Sequence, residues 1–227
     1  MRKPRKASAE ELAPHVWELP NELHGQWGDP ARAGKPTAPI VPIDWSKLFG
    51  NANPIEIEVG FGKGLFLVTN GAAHPEKNYF GIEIVRKYQL YAASRVASRK
   101  MTNVKTCCAD AKLVLSRFVP VESVSTVHVF FPDPWWKKRH KKRLLFTPEF
   151  AELVRTALVP GGRLHFVTDV QDYFEWVTGT LAAIPGFHSL PPPEENRPAH
   201  ELDYLTNFER KFRQEGRPIY RSLYEKV

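Results

Sequence analysis

From residue 55 onward the chain alternates short apolar runs with segments of helical length, and this alternation narrows the fold more than any other feature. "IEIEVG" reads as a strand ending in glycine, and "KGLFLVTNGAA" as a helix. "YFGIEI" is a second strand, followed by "RKYQLYAASRVASRK", a long helix with Tyr88, Tyr91, Ala92 and Val96 at helical spacing. "VKTCCA" is a third strand, "AKLVLSRFV" a helix and "SVSTVHVFF" a fourth strand. In "TPEFAELVRTAL" a threonine cap and a proline at the first helical position mark a helix start, and the following "PGG" marks its end. "RLHFVT" is a fifth strand and "QDYFEWVTGTLAAI" a further helix. Strands alternating with helices of this length predict an α/β fold, Rossmann-like and doubly wound. After it come a strand stub at "FHSL", a helix at "TNFERKFRQEG" with Gly216 past its end, and a late strand at "RPIYRSLYEKV". The expectation is a mostly parallel seven-stranded sheet with an antiparallel late strand.

Residues 1–53 lack such periodicity. Pro and Gly break "ELPNELHGQWGDPARAGKPTAPIVPIDW" repeatedly, so this stretch reads as an extended or partly disordered arm. Trp17 and Trp45 stand out as isolated anchors. The division expected is an arm over 1–53 and one catalytic domain over 54–227.

Composition excludes several classes. No apolar run reaches the ~18 residues of a membrane span. The basic start "MRKPRK" has no apolar segment after it, which argues against a secretory signal. The two cysteines, Cys107 and Cys108, are adjacent, a spacing that suits neither a zinc site nor a disulfide framework. They read as small buried residues of the third strand. A soluble, cytoplasmic protein without a metal is expected. The formal charge of +7 favours a polyanionic partner, nucleic acid before membrane.

In open α/β sheets the ligand lies beyond the carboxyl ends of the strands. The first strand exit here is "EVGFGKG", with Gly60, Gly62 and Gly64. Leu65 stands where the dinucleotide fingerprint requires its third glycine, which disfavours a nicotinamide cofactor. Three acids lie at successive strand exits: Glu58, Glu83 and Asp110. A lone acid there usually caps a helix. Three of them beside a glycine turn favour an adenosine ligand, with Glu83 placed to accept the ribose hydroxyls. The E-x-G-x-G-x-G form resembles the first motif of S-adenosylmethionine-dependent methyltransferases.

The fourth strand exits into "FPDPWWKKRHKKR". Asp133 sits between two prolines; Trp135 and Trp136 follow, then six Lys/Arg and one His in seven positions. Such a block of cations repels itself without an anionic partner. The tryptophans have two readings, stacking on a base or packing beneath a helix. With "GIEI", "TD" at 168–169 and "TNFE" at 206–209, this stretch resembles the bacterial tRNA (guanine-N7)-methyltransferase family, a likeness that covers residues 55–227. It implies a class I methyltransferase using S-adenosyl-L-methionine on a tRNA guanine, in the variable loop. It puts Glu58, Glu83, Asp110 and Asp133, with the loop of Gly60, Gly62 and Gly64, on the cofactor, and makes Asp133 the catalytic position. It puts Lys137, Asp169, Thr206, Asn207, Phe208 and Glu209 on the substrate nucleotide. Arg139, His140, Lys141, Lys142, Arg143 and Leu144 would contact RNA.

The chemistry agrees. Guanine N7 carries a free lone pair, so no general base is needed to expose it. Methyl transfer moves positive charge onto the ring, and a carboxylate nearby stabilises that charge. The rivals are a methyltransferase acting on another RNA or on an amino nitrogen, and a non-catalytic RNA-binding adaptor on the same fold. The sequence leaves monomer and homodimer open.

Overall fold

The computed structural model describes residues 7–20, 23, 40–134, 144–193, 200 and 204–227. They fall into two compact units, Met1–Phe118 and Val119–Val227.

The first unit carries strands β1 (Val16–Trp17), β2 (Ile55–Val59), β3 (Asn78–Glu83) and β4 (Val104–Cys108), in the order β1-β4-β3-β2 and all parallel. Its helices are α1 (Ala9–Leu12), α2 (Trp45–Phe49), α3 (Leu65–Ala73), α4 (Arg86–Ser98) and α5 (Ala111–Arg117). Every residue of β2 and β3 is buried, as strands covered on both faces must be. That burial includes Glu56, which takes a 2.8 Å ion pair from Lys77. Helix α4 buries Gln89, Ala92, Ala93 and Val96, and Gln89 Nε2 donates to Thr106 Oγ1 at 3.0 Å. Of the aromatic residues expected on that face, Tyr88 is exposed and Tyr91 half-buried. Ala92 and Val96 do turn inward, and Ala92 lies close against Gly64. Cys107 is buried and Cys108 half-buried, both as free thiols.

Within residues 1–53, the described residues 7–20, 23 and 40–53 include two short helices, a 3-10 turn and a two-residue strand. Ser8 and Glu11 form a reciprocal capping box on α1. Trp17 meets Phe80 and Phe118 edge-on at 6.0 and 5.2 Å, and Trp45 meets Phe80 at 5.3 Å. With Trp17 so held, Val16–Trp17 pair with Thr106–Cys107. Arg86 forks onto both carboxylate oxygens of Glu18 at 3.1 and 2.9 Å. Two residues are too few to show a strand period, so the expected seven strands become eight among the described residues.

The second unit carries β5 (Val124–Phe130), β6 (Leu158–Thr168), β7 (Phe187–Leu190) and β8 (Tyr220–Lys226), in the order β5-β6-β8-β7. β5 and β6 are parallel; β8 is antiparallel to β6 and to β7. Its helices are α6 (Pro148–Ala157), α7 (Gln171–Ala182) and α8 (Asn207–Gln214). Helix α6 starts as read, with Thr147 Oγ1 accepting from Phe150 N–H at 3.3 Å and Pro148 at the first turn. Pro160-Gly161-Gly162 do more than end this helix: they lie inside β6, where Gly161 has φ +76° and the register against β5 shifts. Phe146, Phe150, Phe166 and Tyr173 are fully buried and meet edge to face at 5.4–5.9 Å. The chain is thus α/β, mostly parallel, with an antiparallel late strand. No helix among the described residues is long and apolar enough to cross a membrane.

Candidate active site

In the first unit the site is built at the exits of β2, β3 and β4. Beyond β2 the chain turns through Gly60, Gly62 and Gly64, with φ of +77°, +53° and +65°. Gly64 has a second constraint: a Cβ there would lie 2.7 Å from Ala92 Cβ, so the turn could not sit against α4. Gly60 N–H donates to Ile82 O at 2.8 Å. Glu83 ends β3, and its carboxylate spans two backbone donors: Oε2 accepts from Gly62 N–H at 2.8 Å and Oε1 from Val85 N–H at 2.9 Å.

Glu58 lies in β2 with 2% exposure. Its Oε2 is buried with no hydrogen-bond partner among the described residues. Burial first, and then the charge of Glu83, push this carboxyl well above the ordinary glutamate range. Asp110 follows β4, where Ala109 N–H donates to Glu83 O at 3.0 Å. It caps α5 by accepting from Lys112 N–H at 2.8 Å, so the ordinary structural role is filled. One carboxylate can still accept from a ligand while capping.

This arrangement discriminates between ligand classes. A diphosphate at such a turn needs free backbone N–H donors. Here Glu83 takes the Gly62 N–H, and two further carboxyls stand close by. A cationic ligand rich in hydroxyl groups fits, and an orphaned buried carboxyl oxygen is a place for its positive end.

Arg95, which the sequence reading missed, braces the turn. It is buried within α4 and its Nη1 donates to Lys63 O at 2.8 Å. The available signal was a cation on the inward face of an amphipathic helix.

In the second unit, Phe131 leaves β5 with φ +50°, a left-handed conformation uncommon for a bulky residue. Its N–H is held by Val167 O at 2.7 Å, and its ring lies 5.4 Å from that of Phe212. The reversal turns Asp133 out of the strand, where it is exposed. Tyr173 is close enough to feel its charge: burial chiefly raises the phenol, the Phe146 N–H bond opposes, and Asp133 adds to the rise. Strain of this kind, about 1–3 kcal/mol, persists where the surroundings over-determine it.

Asp169 follows β6, its side chain nearly buried, and its Oδ2 pairs with Arg217 Nη2. Thr206 caps α8, accepting from Glu209 N–H at 3.0 Å. Asn207 is half-buried and Phe208 is 52% exposed. Glu209 is buried at the centre of a network: Oε2 accepts from Leu205 N–H at 2.6 Å, and Oε1 from Arg213 Nη2 at 3.0 Å and Arg221 Nη2 at 2.7 Å. Within this unit Asp169 and the Thr206–Glu209 segment come together through Arg217 and Phe212, 4.2 Å apart. Lys137, Arg139, His140, Lys141, Lys142 and Arg143, with Trp135 and Trp136, lie outside the described residues. Leu144 is half-buried. Among the described residues no group of three His, Cys, Asp or Glu side chains could hold a metal ion.

Comparison with known proteins defines the class. Residues 52–222 match the family described as "Putative methyltransferase". The solved structure of the 16S rRNA methyltransferase KamB is similar with a TM-score of 0.62 at 15% identity, covering 82% of this chain and 95% of that one. The narrower assignment comes from sequence. A tRNA (guanine-N(7)-)-methyltransferase of Rhodopirellula baltica is 46% identical over 190 residues, covering 81% of this chain and 70% of the relative. One from Hydrogenovibrio crunogenus is 37% identical over 185 residues, with 82% and 77% covered. The chain belongs to the tRNA (guanine-N(7)-)-methyltransferase family.

Proposed function

We propose that this protein transfers the methyl group of S-adenosylmethionine to N7 of a guanine in the tRNA variable loop, in the cytoplasm, with residues 54–227 as the methyltransferase domain and 1–53 as an arm. The observation that carries it is the carboxylate set of the first unit, above all the orphaned Glu58 oxygen, in a chain 46% identical to a protein of that name. When bound, the cofactor supplies an electrophilic methyl on a sulfonium.

The residues divide the work. Glu83 keeps the glycine turn in place and retains lone pairs for the ribose hydroxyls. Glu58 offers its carboxylate to the cofactor's cationic end, and Asp110 serves the adenine side. Asp133, exposed after the Phe131 reversal, contacts the cofactor and stabilises positive charge developing on the guanine ring. Lys137, Asp169 and Thr206–Glu209 hold the nucleotide. Glu209 does so indirectly, by fixing α8 through Arg213 and Arg221. Arg139–Leu144 bind the RNA backbone, a sequence-independent term that positions the base.

The test is to incubate the protein with tRNA lacking the modification and with labelled S-adenosylmethionine, then identify the nucleoside. N7-methylguanosine, with chain cleavage after reduction and aniline treatment, is expected. Label in another nucleoside would overturn the substrate atom. Tight tRNA binding without label would support the adaptor reading instead.

A further inference from the structure

The Asp169–Arg217 pair has a chemical likeness to the proposed substrate. Arg217 presents a planar fork of N–H donors, one of which meets Asp169 Oδ2. Its Cζ lies 4.2 Å from the centroid of the Phe212 ring, so the guanidinium is stacked as well as paired. Guanine contains the same fragment. Its N1–H and N2–H₂ donors, joined through C2, lie in one plane and suit a carboxylate as a guanidinium does. No other standard base offers two adjacent donors on that edge. N7 lies on the opposite edge of the purine, so a base pinned by N1 and N2 keeps N7 free to react.

We propose that Arg217 is an internal stand-in for the target guanine, seated between Asp169 and Phe212 and displaced when the base enters. The proposal deepens the reading above and rests on Asp169 as a nucleotide-binding residue.

The surroundings permit the exchange. The Arg217 backbone is fixed, its N–H donating to Phe212 O at 2.9 Å just after Gly216, φ +66°. The side chain is 41% exposed, so it can swing into solvent without disturbing the chain. Glu215 Oε2 already lies 3.9 Å from Nη1, a second carboxylate for the displaced group. The ring it vacates does not stand alone: Phe208, half-exposed, is stacked on Phe212 with centroids 5.9 Å apart and planes at 26°. The two rings form a platform reaching from solvent to Asp169. In the free protein the arginine would keep Asp169 and this apolar face covered. It would also raise the threshold for any base that cannot replace both the ion pair and the stack.

The experiment uses guanosine monophosphate as a competitive inhibitor of tRNA methylation, with adenosine monophosphate as control. Removing a half-exposed ion pair and its stack removes a competitor, so Arg217→Ala should lower the inhibition constant for guanosine monophosphate about five- to tenfold. The constant for adenosine monophosphate should not change. An unchanged or raised constant for guanosine monophosphate would overturn the proposal, because Arg217 would then brace Asp169. Should Arg217→Ala fold poorly, Arg217→Gln, which keeps the stem and loses the charge, carries the same test. Asp169→Asn separates the two levels. If it methylates tRNA and is inhibited by guanosine monophosphate as wild type does and is, the reading of Asp169 fails with it. If Asp169→Asn is impaired and Arg217→Ala shows no gain, only the stand-in fails.

Discussion

Glu83 Oε2 accepts the N–H of Gly62 at 2.8 Å, so the acid at the end of β3 holds the turn at the end of β2. The same carboxylate accepts Val85 N–H at 2.9 Å. Glu83→Ala should therefore do two things. It should weaken S-adenosylmethionine binding by tenfold or more, and it should lower stability by about 3 kcal/mol or more, since it removes two bonds to a charged acceptor, worth roughly 1.5–3 kcal/mol each. Calorimetry and urea denaturation on one preparation check both. Loss of affinity without loss of stability would mean the turn holds its shape unaided.

Glu58 makes a pH-dependent prediction. Burial and Glu83 raise its folded-state pKa above the ordinary value of 4.5. A raised value stabilises the fold while the group is protonated. That contribution is full below 4.5 and is lost as pH rises through the folded value. Glu58→Gln should therefore make the cofactor-free protein more stable than wild type at pH 8, with the gain shrinking toward pH 4.5. It should also weaken cofactor binding, and abolish the rise in wild-type affinity with pH that ionisation of Glu58 produces. Denaturation midpoints and titrations across that range test this; equal midpoints at pH 8 would show that Glu58 is not strained.

Asp133→Ala should lower single-turnover methylation by roughly 10²–10³-fold, the usual effect of removing one preorganised electrostatic group, while tRNA affinity stays near wild type. Quench-flow measurement with saturating tRNA and cofactor decides it. A wild-type rate would remove Asp133 from the chemistry.

Neutralising Lys138, Arg139, Lys141, Lys142 and Arg143 together should leave cofactor affinity unchanged and flatten the salt dependence of tRNA binding. Each lost phosphate contact removes roughly 0.7–0.9 from the slope of log K against log salt. Parallel lines of equal affinity for variant and wild type would place RNA binding elsewhere.

Glu209→Ala should destabilise the protein by about 3 kcal/mol, because the carboxylate is buried and Arg221, 8% exposed, loses the charge it faces. Its effect on tRNA methylation should follow that loss of structure. A variant with wild-type stability and no activity would instead put Glu209 directly on the base.

Local pattern carried much of this architecture. Short apolar runs alternating with segments of helical length mark β2 to α7, because strands buried on both faces read as short continuous apolar runs between glycines and turns. Thr147-Pro148 and Gly216 mark helix ends through backbone chemistry that acts within a few residues. Glu58, Glu83 and Asp110 are legible as a set because parallel strands bring their exits to one edge. Contacts between distant residues left no such trace. β1 exists because Trp17 finds Phe80 and Phe118, 63 and 101 positions further along the chain, and two residues show no period. Gly62 has its N–H taken by an acid 21 positions on. Arg217 finds Asp169 from 48 positions away, and Glu209 becomes a structural hub only when β8 brings Arg221 beside α8. A side chain's type sets what it can bond. Which partner it meets depends on how the chain closes on itself, and there an acid read as a ligand group also serves as a brace, a hub or one half of an ion pair.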